Sequence, residues 1–239
     1  MTLSAKPDEP EPTPRRAGTG WRLNGAELWL DIAGALFVPS QSLLAVADLH
    51  FEKGSRLAQH RGNLLPPYDT RSTLVLLAEL LTAYQPRRVI CLGDSFHDGE
   101  APERLHSDDA RKLASLTALR DWIWICGNHD PKPPERFGGR VMPEFAAGPL
   151  LFRHEAKPGA ARGEVSGHFH PKFGASVRGR RVGGRCFVAD TRRLILPAFG
   201  AYTGGLDVGD PAISDLFPRG ARALVLGRDR IHSVGLAAD

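Results

Sequence analysis

Five short motifs in this chain carry oxygen and nitrogen side chains that are suited to binding metal ions. In chain order they are Asp48-Leu49-His50, Gly93-Asp94-Ser95-Phe96-His97, Gly127-Asn128-His129-Asp130, His154 and Gly167-His168-Phe169-His170. With His97, His129 and Asp130 set aside, the motifs supply two Asp, one Asn and four His as candidate ligands. This set is large enough for two divalent cations, and a pair of cations roughly 3.5–4 Å apart is the usual apparatus for hydrolysing phosphate esters.

Three of the motifs come directly after apolar runs. The runs occupy residues 42–47, 88–92 and 122–126, and each stops where a motif begins. Near-continuous apolar runs of this length are typical of strands that are buried on both faces. Because ligands in open α/β sheets bind beyond the carboxyl ends of the strands, we expect the motif side chains to meet at one rim.

The remaining pattern predicts an α/β fold with two packed mixed β-sheets flanked by helices. Strands and helices alternate as far as residue 126, which favours parallel pairing, and short β segments follow residue 149. A hairpin is predicted at Trp21–Leu30, since Asn24-Gly25 lies between apolar runs.

Two helices are expected between the strands. The first spans Asp69 to Tyr84, with Asp69 as its N-terminal cap. The second lies within Glu103–Arg120, and its inward-facing side chains are expected to be Leu113, Leu116 and Leu119.

The 239-residue length and ordinary composition favour one domain, which we place at residues 21–239 after a disordered tail at 1–20. No apolar stretch approaches the ~20 residues of a membrane span, and residues 1–20 contain no apolar segment typical of a secretory signal. Cys91, Cys126 and Cys186 are interpreted as small core residues in a reducing cytoplasm.

The net charge of +4 is distributed unevenly along the chain. Between Lys172 and Arg193 there are seven basic residues and a single acidic one, Asp190. Such a basic stretch beside a phosphate-cleaving site would attract a polyanion such as DNA, but it is equally compatible with a solvated hairpin face. Within it, Arg178, Arg180 and Arg181 are the candidate substrate-binding residues.

The ordered motifs resemble those of the calcineurin-like metallophosphoesterase superfamily, which read Asp-x-His, Gly-Asp-x-x-His/Asp, Gly-Asn-His-Asp/Glu, His and Gly-His-x-His. All five are present between residues 48 and 170. By this resemblance, the first metal would be held by Asp48, His50, Asp94 and His170. The second would be held by Asp94, Asn128, His154 and His168, with Asp94 bridging. The resemblance also implies the sandwich fold of that superfamily.

The same resemblance gives roles to the other motif residues. His129 would contact the scissile phosphate or protonate the leaving oxygen, and Asp130 would orient its imidazole. His97 would touch the phosphate. A ligand set without thiolate favours Mn, Fe or Zn over soft metals. The resemblance implies two ions with Mn as the first choice and Fe or Zn as alternatives.

Three further segments are similar to those of a bacterial branch of the superfamily, the ligase-associated DNA-repair phosphoesterases, or PdeM-like proteins. They are residues 62–70, 93–98 and 196–208, and the resemblance covers about residues 21–236. It implies an Mn-dependent phosphodiesterase or endonuclease encoded with a DNA ligase, a helicase and an exonuclease-like protein. The glycine-rich segment 196–208 fits either a turn between strands or a loop that lines the site.

Two other functions remain open. One is a phosphodiesterase or phosphomonoesterase acting on small nucleotides, for which a capped pocket would be expected, whereas an open basic cleft would favour DNA. The other is a metal-free scaffold of the same fold. The complete ligand set, together with His129 and Asp130, argues against a scaffold.

Overall fold

A computed structural model of the chain describes residues 16–61, 68–159, 162–177 and 180–237, with the side chains at 59–61, 177 and 180–182 outside that description. The strands of the first sheet are β1 Gly18–Leu23, β2 Ala26–Asp31, β3 Leu36–Val38, β4 Leu43–Val46, β5 Arg88–Leu92, β6 Asp121–Ile125 and β7 Arg140–Met142. The strands of the second sheet are β8 Glu144–Ala147, β9 Leu150–Arg153, β10 Glu164–Ser166, β11 Lys172–Val177, β12 Arg180–Ala189, β13 Arg193–Ile195, β14 Ala221–Leu226 and β15 Ile231–Leu236. The α-helices are α1 Lys53–Arg61, α2 Asp69–Tyr84, α3 Ala101–Arg104, α4 Ser107–Thr117 and α5 Pro211–Ser214.

The first sheet runs from β1 to β7 in chain order. Strands β1 to β4 pair antiparallel, and β4 to β7 pair parallel, as the sequence predicted for this part of the chain. Val46 lies opposite Cys91, and Leu92 lies opposite Ile125, so β4, β5 and β6 end at nearly the same level. The first three motifs therefore leave the sheet along one edge.

The second sheet has the order β15-β14-β12-β13-β10-β9-β8. Its longest strand, β12, pairs with three others, and its end at residues 188–189 pairs with β13. Residues 186–189 pair with β14 inside the sheet, whereas residues 180–185 pair only with β11 in a two-stranded ribbon. The basic stretch that follows the last motif therefore forms a ribbon extending from the sheet.

Alternating side chains of the parallel strands enter two separate cores. Leu43 and Ala45 face the second sheet, where Phe152 and Phe187 are fully buried. Leu44 and Val46 face the helical side and pack with α2 and α4. This double burial explains the continuous apolar runs, and the predicted sandwich of two mixed sheets with outer helices is confirmed.

The predicted hairpin and first helix are confirmed in their positions. Trp21 pairs with Leu28 across the turn at Asn24-Gly25, and α2 spans the expected range. The expected cap is wrong, because the Asp69 carboxylate instead accepts a 2.7 Å hydrogen bond from the Gly54 amide of α1. That bond ties α2 to a helix which the sequence pattern did not reveal.

The second expected helix is confirmed within its range, but one of its three expected inward-facing residues is wrong. Residues 103–120 contain the end of α3 and all of α4, which finishes at Thr117. Leu113 and Leu116 face inward, but Leu119 is 79% exposed because it lies in the turn before β6.

Three strands were not predicted, and one strand begins earlier than expected. The short strands β3, β7 and β8 were not predicted. The first strand begins at Gly18, inside the segment expected to be disordered, while residues 1–15 of that segment lie outside the described residues. Within the part of the chain that is described, no helix is long and apolar enough to cross a membrane.

A matched pair of leucine substitutions tests this placement of side chains. We expect Leu113→Ala to lower the free energy of unfolding by about 2–5 kcal/mol, because it leaves a cavity under α4. Leu119→Ala should change it by less than about 0.5 kcal/mol. Urea unfolding of both variants measures the difference, and equal losses would contradict the exposed position of Leu119.

Candidate metal centre

One group of donor atoms lies where β4 ends. It consists of Asp48, His50 and His170, and its ligand atoms all lie within 4.8 Å of one another. The Nε2 atoms of His50 and His170 are 3.3 Å apart, and His170 Nε2 is 3.4 Å from Asp48 Oδ1. Two strand-end residues of the first sheet thus meet a histidine from the loop between β10 and β11.

A second group lies where β5 and β6 end. His154 Nε2 is 3.5 Å from Asp94 Oδ2 and 3.1 Å from His168 Nδ1. The amide oxygen of Asn128 is 2.8 Å from the same His154 nitrogen and 3.1 Å from His168 Nδ1. All seven side chains that the sequence singled out as ligands therefore fall into two adjacent groups.

The spacing of these atoms fits a shared cation. Ligand atoms about 2.1 Å from one ion, at tetrahedral or octahedral angles, are separated by roughly 3.0–3.4 Å. The contacts of 3.1–3.5 Å between nitrogen and oxygen donors match that separation. A hydrogen bond between two such imidazole nitrogens would engage the lone pair of only one ring, whereas an ion between them would engage the lone pairs of both.

Asp94 lies between the two groups. Its Oδ2 atom is 3.5 Å from His154 Nε2 and 3.9 Å from His50 Nε2, so one oxygen faces both sides. Its other oxygen, Oδ1, accepts a 2.9 Å hydrogen bond from the His129 amide. This bond orients the carboxylate and leaves Oδ2 available to a pair of cations.

Electrostatics in the site keep His50 and Asp94 in the forms that bind a metal ion, whereas they favour the protonated form of His154. Burial, with the nearby charge of Lys53, lowers the pKa of His50 to about 2, which keeps its imidazole neutral. Burial raises the pKa of Asp94, but hydrogen bonding to His154 and the charge of that residue bring it down to about 2. Burial lowers the pKa of His154, yet the bond to Asp94 and the Asp48 charge raise it to about 9.

The backbone of the ligands is unusual. Their φ angles are positive at Asp48 (53°), His50 (45°), Asp94 (45°), His168 (72°) and His170 (48°). Residues other than glycine seldom adopt this left-handed conformation, and such residues concentrate at functional sites. Asp48 and His50 therefore do not leave β4 in an extended conformation.

Close packing between motifs explains two motif glycines. A Cβ atom on Gly127 would overlap the amide and carboxylate of Asp94. One on Gly167 would lie 2.6 Å from Asp48 Oδ2 and 2.7 Å from the Ala47 Cβ. Neither glycine has a positive φ, so the close approach of a ligand from another motif, and not the backbone conformation, accounts for both.

His129 lies at the exposed side of the centre. Its Nδ1 atom is 3.0 Å from the His97 carbonyl oxygen. Because a carbonyl can only accept, Nδ1 must carry the proton of this bond, and Nε2 remains for another partner. This geometry suits contact with a substrate.

Asp130 and His97 have different contacts from those expected. The Asp130 carboxylate accepts bonds of 2.8 and 3.0 Å from the Ser95 and Phe96 amides, so it fixes the Asp94 loop rather than the His129 imidazole. Burial raises the pKa of Asp130 to about 7. His97 Nδ1 lies 3.4 Å from His50 Nδ1, which places it beside a ligand.

The segment 196–208 lies against the first motif. The Phe199 and Gly200 amides donate to the carbonyls of Ala47 and Asp48 at 2.8 and 3.1 Å. Of the two expectations for this segment, the loop at the site agrees with these contacts.

The sequence offered Lys53 as a residue that either meets substrate phosphates or is solvated, and it placed Lys172 and Arg185 in the basic stretch, but it did not bring the three together. Lys172 continues the two-residue spacing of the last two histidines, and that spacing was the available signal. Of the arginines proposed to bind substrate, Arg178 lies outside the described residues. Arg180 and Arg181 are in β12, but their side chains are outside the description.

The packing of Gly167 against Asp48 gives a direct test. We expect Gly167→Ala to displace the Asp48 carboxylate and to reduce the bound metal measured by elemental analysis at least tenfold. Gly235→Ala on β15 is the matched control, since a Cβ there meets nothing within 4 Å. Full metal content in Gly167→Ala would show that the site tolerates a shift of Asp48.

Comparison with known proteins agrees with this geometry. The chain is similar to the Pseudomonas putida nuclease MPE, with 27% identity, a TM-score of 0.69 and coverage of 91% of this chain and 100% of that one. It also matches Yfce, a phosphoesterase from E. coli, with 14% identity, a TM-score of 0.38 and coverage of 81% and 98%. No curated protein matches significantly. The sequence profile of calcineurin-like phosphoesterases matches residues 42–183, and the chain therefore belongs to this family of metal-dependent phosphoester hydrolases.

Proposed function

We propose that this protein is a nuclease that hydrolyses phosphodiester bonds in DNA with two divalent ions, of which Mn is the first choice and Fe and Zn are alternatives. The main support for this proposal is the position of the Asp94 Oδ2 atom, which faces both groups of donor atoms. The likeness to the Pseudomonas putida nuclease over nearly the whole of both chains supports the choice of substrate class.

The proposal assigns metal binding and proton donation to different residues of the chain. Asp48, His50, Asp94 and His170 would hold one ion, and Asp94, Asn128, His154 and His168 would hold the other. Adjacent divalent ions supply activation of water and neutralisation of phosphate charge. His129 would donate a proton to the leaving oxygen from Nε2, because Nδ1 is engaged by the His97 carbonyl.

The surroundings of the centre favour a polymer over a small nucleotide. Asn128 and His129 are exposed, so the described part of the rim is open on that side. The β11–β12 ribbon, with its arginines, begins two residues after His170. Within the proposal, Arg178, Arg180 and Arg181 contact DNA phosphates from this ribbon.

The proposal extends to the cellular setting. Residues 21–239 would act as one domain, since side chains of both sheets share a core. A cytoplasmic location agrees with the free cysteines at 91, 126 and 186. A role in DNA repair, beside a ligase, a helicase and an exonuclease-like protein, rests on the resemblance of the motifs.

A substrate panel tests the proposal. Protein supplied with Mn should cleave single- or double-stranded DNA and bis(nitrophenyl) phosphate, while free nucleotides are hydrolysed much more slowly. Asp94→Asn should lose nearly all activity and part of its metal, because the shared oxygen becomes a neutral amide ligand. Preferential hydrolysis of nucleotides would favour the small-molecule alternative, and full activity in Asp94→Asn would refute the shared-ligand assignment.

The role of His129 predicts a dependence on the leaving group. His129→Ala should retain its metal but cleave DNA ~10²–10⁴-fold more slowly, since a general acid is lost. On bis(nitrophenyl) phosphate the defect should be much smaller, because nitrophenolate leaves without a proton. His232→Ala, which removes an exposed histidine from β15, is the control. Equal defects on both substrates would indicate phosphate binding instead.

A further inference from the structure

Three cationic side chains beside the metal centre have no acidic partner. Lys53, Lys172 and Arg185 are each partly buried. Among the residues that the structure describes, no carboxylate lies within 4.0 Å of their nitrogens, since none of the ion pairs includes them. An unpaired cation that is withdrawn from water is costly, so such a group commonly awaits an anion.

Two other partly buried arginines are paired with carboxylates. Arg104 contacts Asp98 at 2.8 Å, and Arg153 contacts Glu164 at 3.2 Å. Arg185, by comparison, donates 2.7 Å to the Ala198 carbonyl, which uses one of its five N–H groups. Burial lowers the pKa of Arg185, and no compensating acidic group raises it.

Lys172 and Arg185 face one cavity. They lie directly opposite each other on β11 and β12, and side chains in such pairs share a face. Both line a cavity of about 340 Å³, together with Thr73 on α2 and with Tyr202 and Thr203 of the site loop. Lys172 also donates to the Thr203 carbonyl at 3.3 Å.

The cavity is separated from the metal centre by a single stretch of backbone. Gly200 lines the cavity and donates to the Asp48 carbonyl at 3.1 Å. On the other side of the motif, the Lys53 amide donates to the His50 carbonyl at 3.2 Å. Burial lowers the pKa of Lys53, the Asp48 and Asp94 charges raise it, and the Lys172 charge lowers it, which places the two lysines in one electrostatic neighbourhood.

We propose that Lys172 and Arg185 form a second phosphate-binding subsite, which receives the phosphate adjacent to the one that is cleaved in a polynucleotide. This inference rests on the proposed nuclease function and adds a contact outside the metal ligands. It predicts that charge on the neighbouring phosphate, and not only the scissile ester, determines the specificity constant. An ester with one phosphate cannot use the subsite.

Trithymidylates provide the test. In each of two isomers, one phosphate is replaced by a neutral methylphosphonate, so that only the other natural phosphate can be cleaved. For the native protein, one isomer should show a kcat/KM about 10–100-fold below that of the natural trinucleotide, as expected for losing one or two charged hydrogen bonds. In Lys172→Ala and in Lys172→Gln, the ratio of the kcat/KM for the natural trinucleotide to that for this isomer should fall toward one.

Lys112→Ala is the matched control, because Lys112 is exposed on α4 and should leave the ratio unchanged. The native protein could hydrolyse the natural trinucleotide and one isomer with different kcat/KM values. If both Lys172 variants then showed the same ratio of these values as the native protein, the assignment of the subsite would be overturned. Equal hydrolysis of all three trinucleotides by the native protein would do so as well.

A binding measurement separates this inference from the proposed function. Fluorescence anisotropy with a labelled twelve-residue oligothymidylate in EDTA should show a salt slope that is smaller by about 0.7 in Lys172→Gln than in the native protein. If bis(nitrophenyl) phosphate is hydrolysed but no trinucleotide is, the nuclease proposal fails, and this slope alone decides the subsite. An unchanged slope would overturn it.

Discussion

The structure depends on bringing seven candidate metal ligands together while other parts of the chain orient them. Each donor is held by a bond to the backbone or to another motif, so that its free atom faces inward. His154 Nδ1 contacts the Leu92 carbonyl at 2.9 Å, and both Asp48 oxygens accept from the His168 amide. Because these restraints link separate motifs, the centre requires the complete sandwich rather than any one strand–loop unit.

This requirement has a local conformational cost. Left-handed backbone at a residue with a Cβ costs about 1–3 kcal/mol, and five ligands adopt it. The surrounding structure can impose it because the strands before the ligands are buried on both faces. Leu92 and Ile125 are fully buried where β5 and β6 end. The rigid strand ends fix where each loop begins, and short backbone bonds, such as that from the His50 amide to the Asp94 carbonyl, fix where it goes.

The sequence was informative wherever periodicity and motif order agree. The parallel strands, the sandwich and the gathering of the ligands followed from apolar runs that stop at polar motifs. The sequence was uninformative where tertiary contacts determine the partner of a side chain. Asp69 has the sequence context of a helix N-cap, yet its carboxylate accepts a hydrogen bond from the Gly54 amide. Asp130 follows His129 in sequence but contacts the Ser95 loop, and the pairing of Lys172 with Arg185 depends on a ribbon register that no local pattern encodes.

The origin of the ligands has a further consequence. Asp48, His50, Asp94 and Asn128 follow strands of the first sheet, whereas His154, His168 and His170 follow strands of the second. Bound ions would therefore connect the two sheets. An ion that binds only the folded chain at free concentration [L] adds RT ln(1 + [L]/Kd) to the free energy of unfolding. At a hundredfold excess over Kd this amounts to about 2.7 kcal/mol. Metal supply would thus govern the lifetime of the folded protein as well as its turnover, and starvation for metal would reduce its abundance.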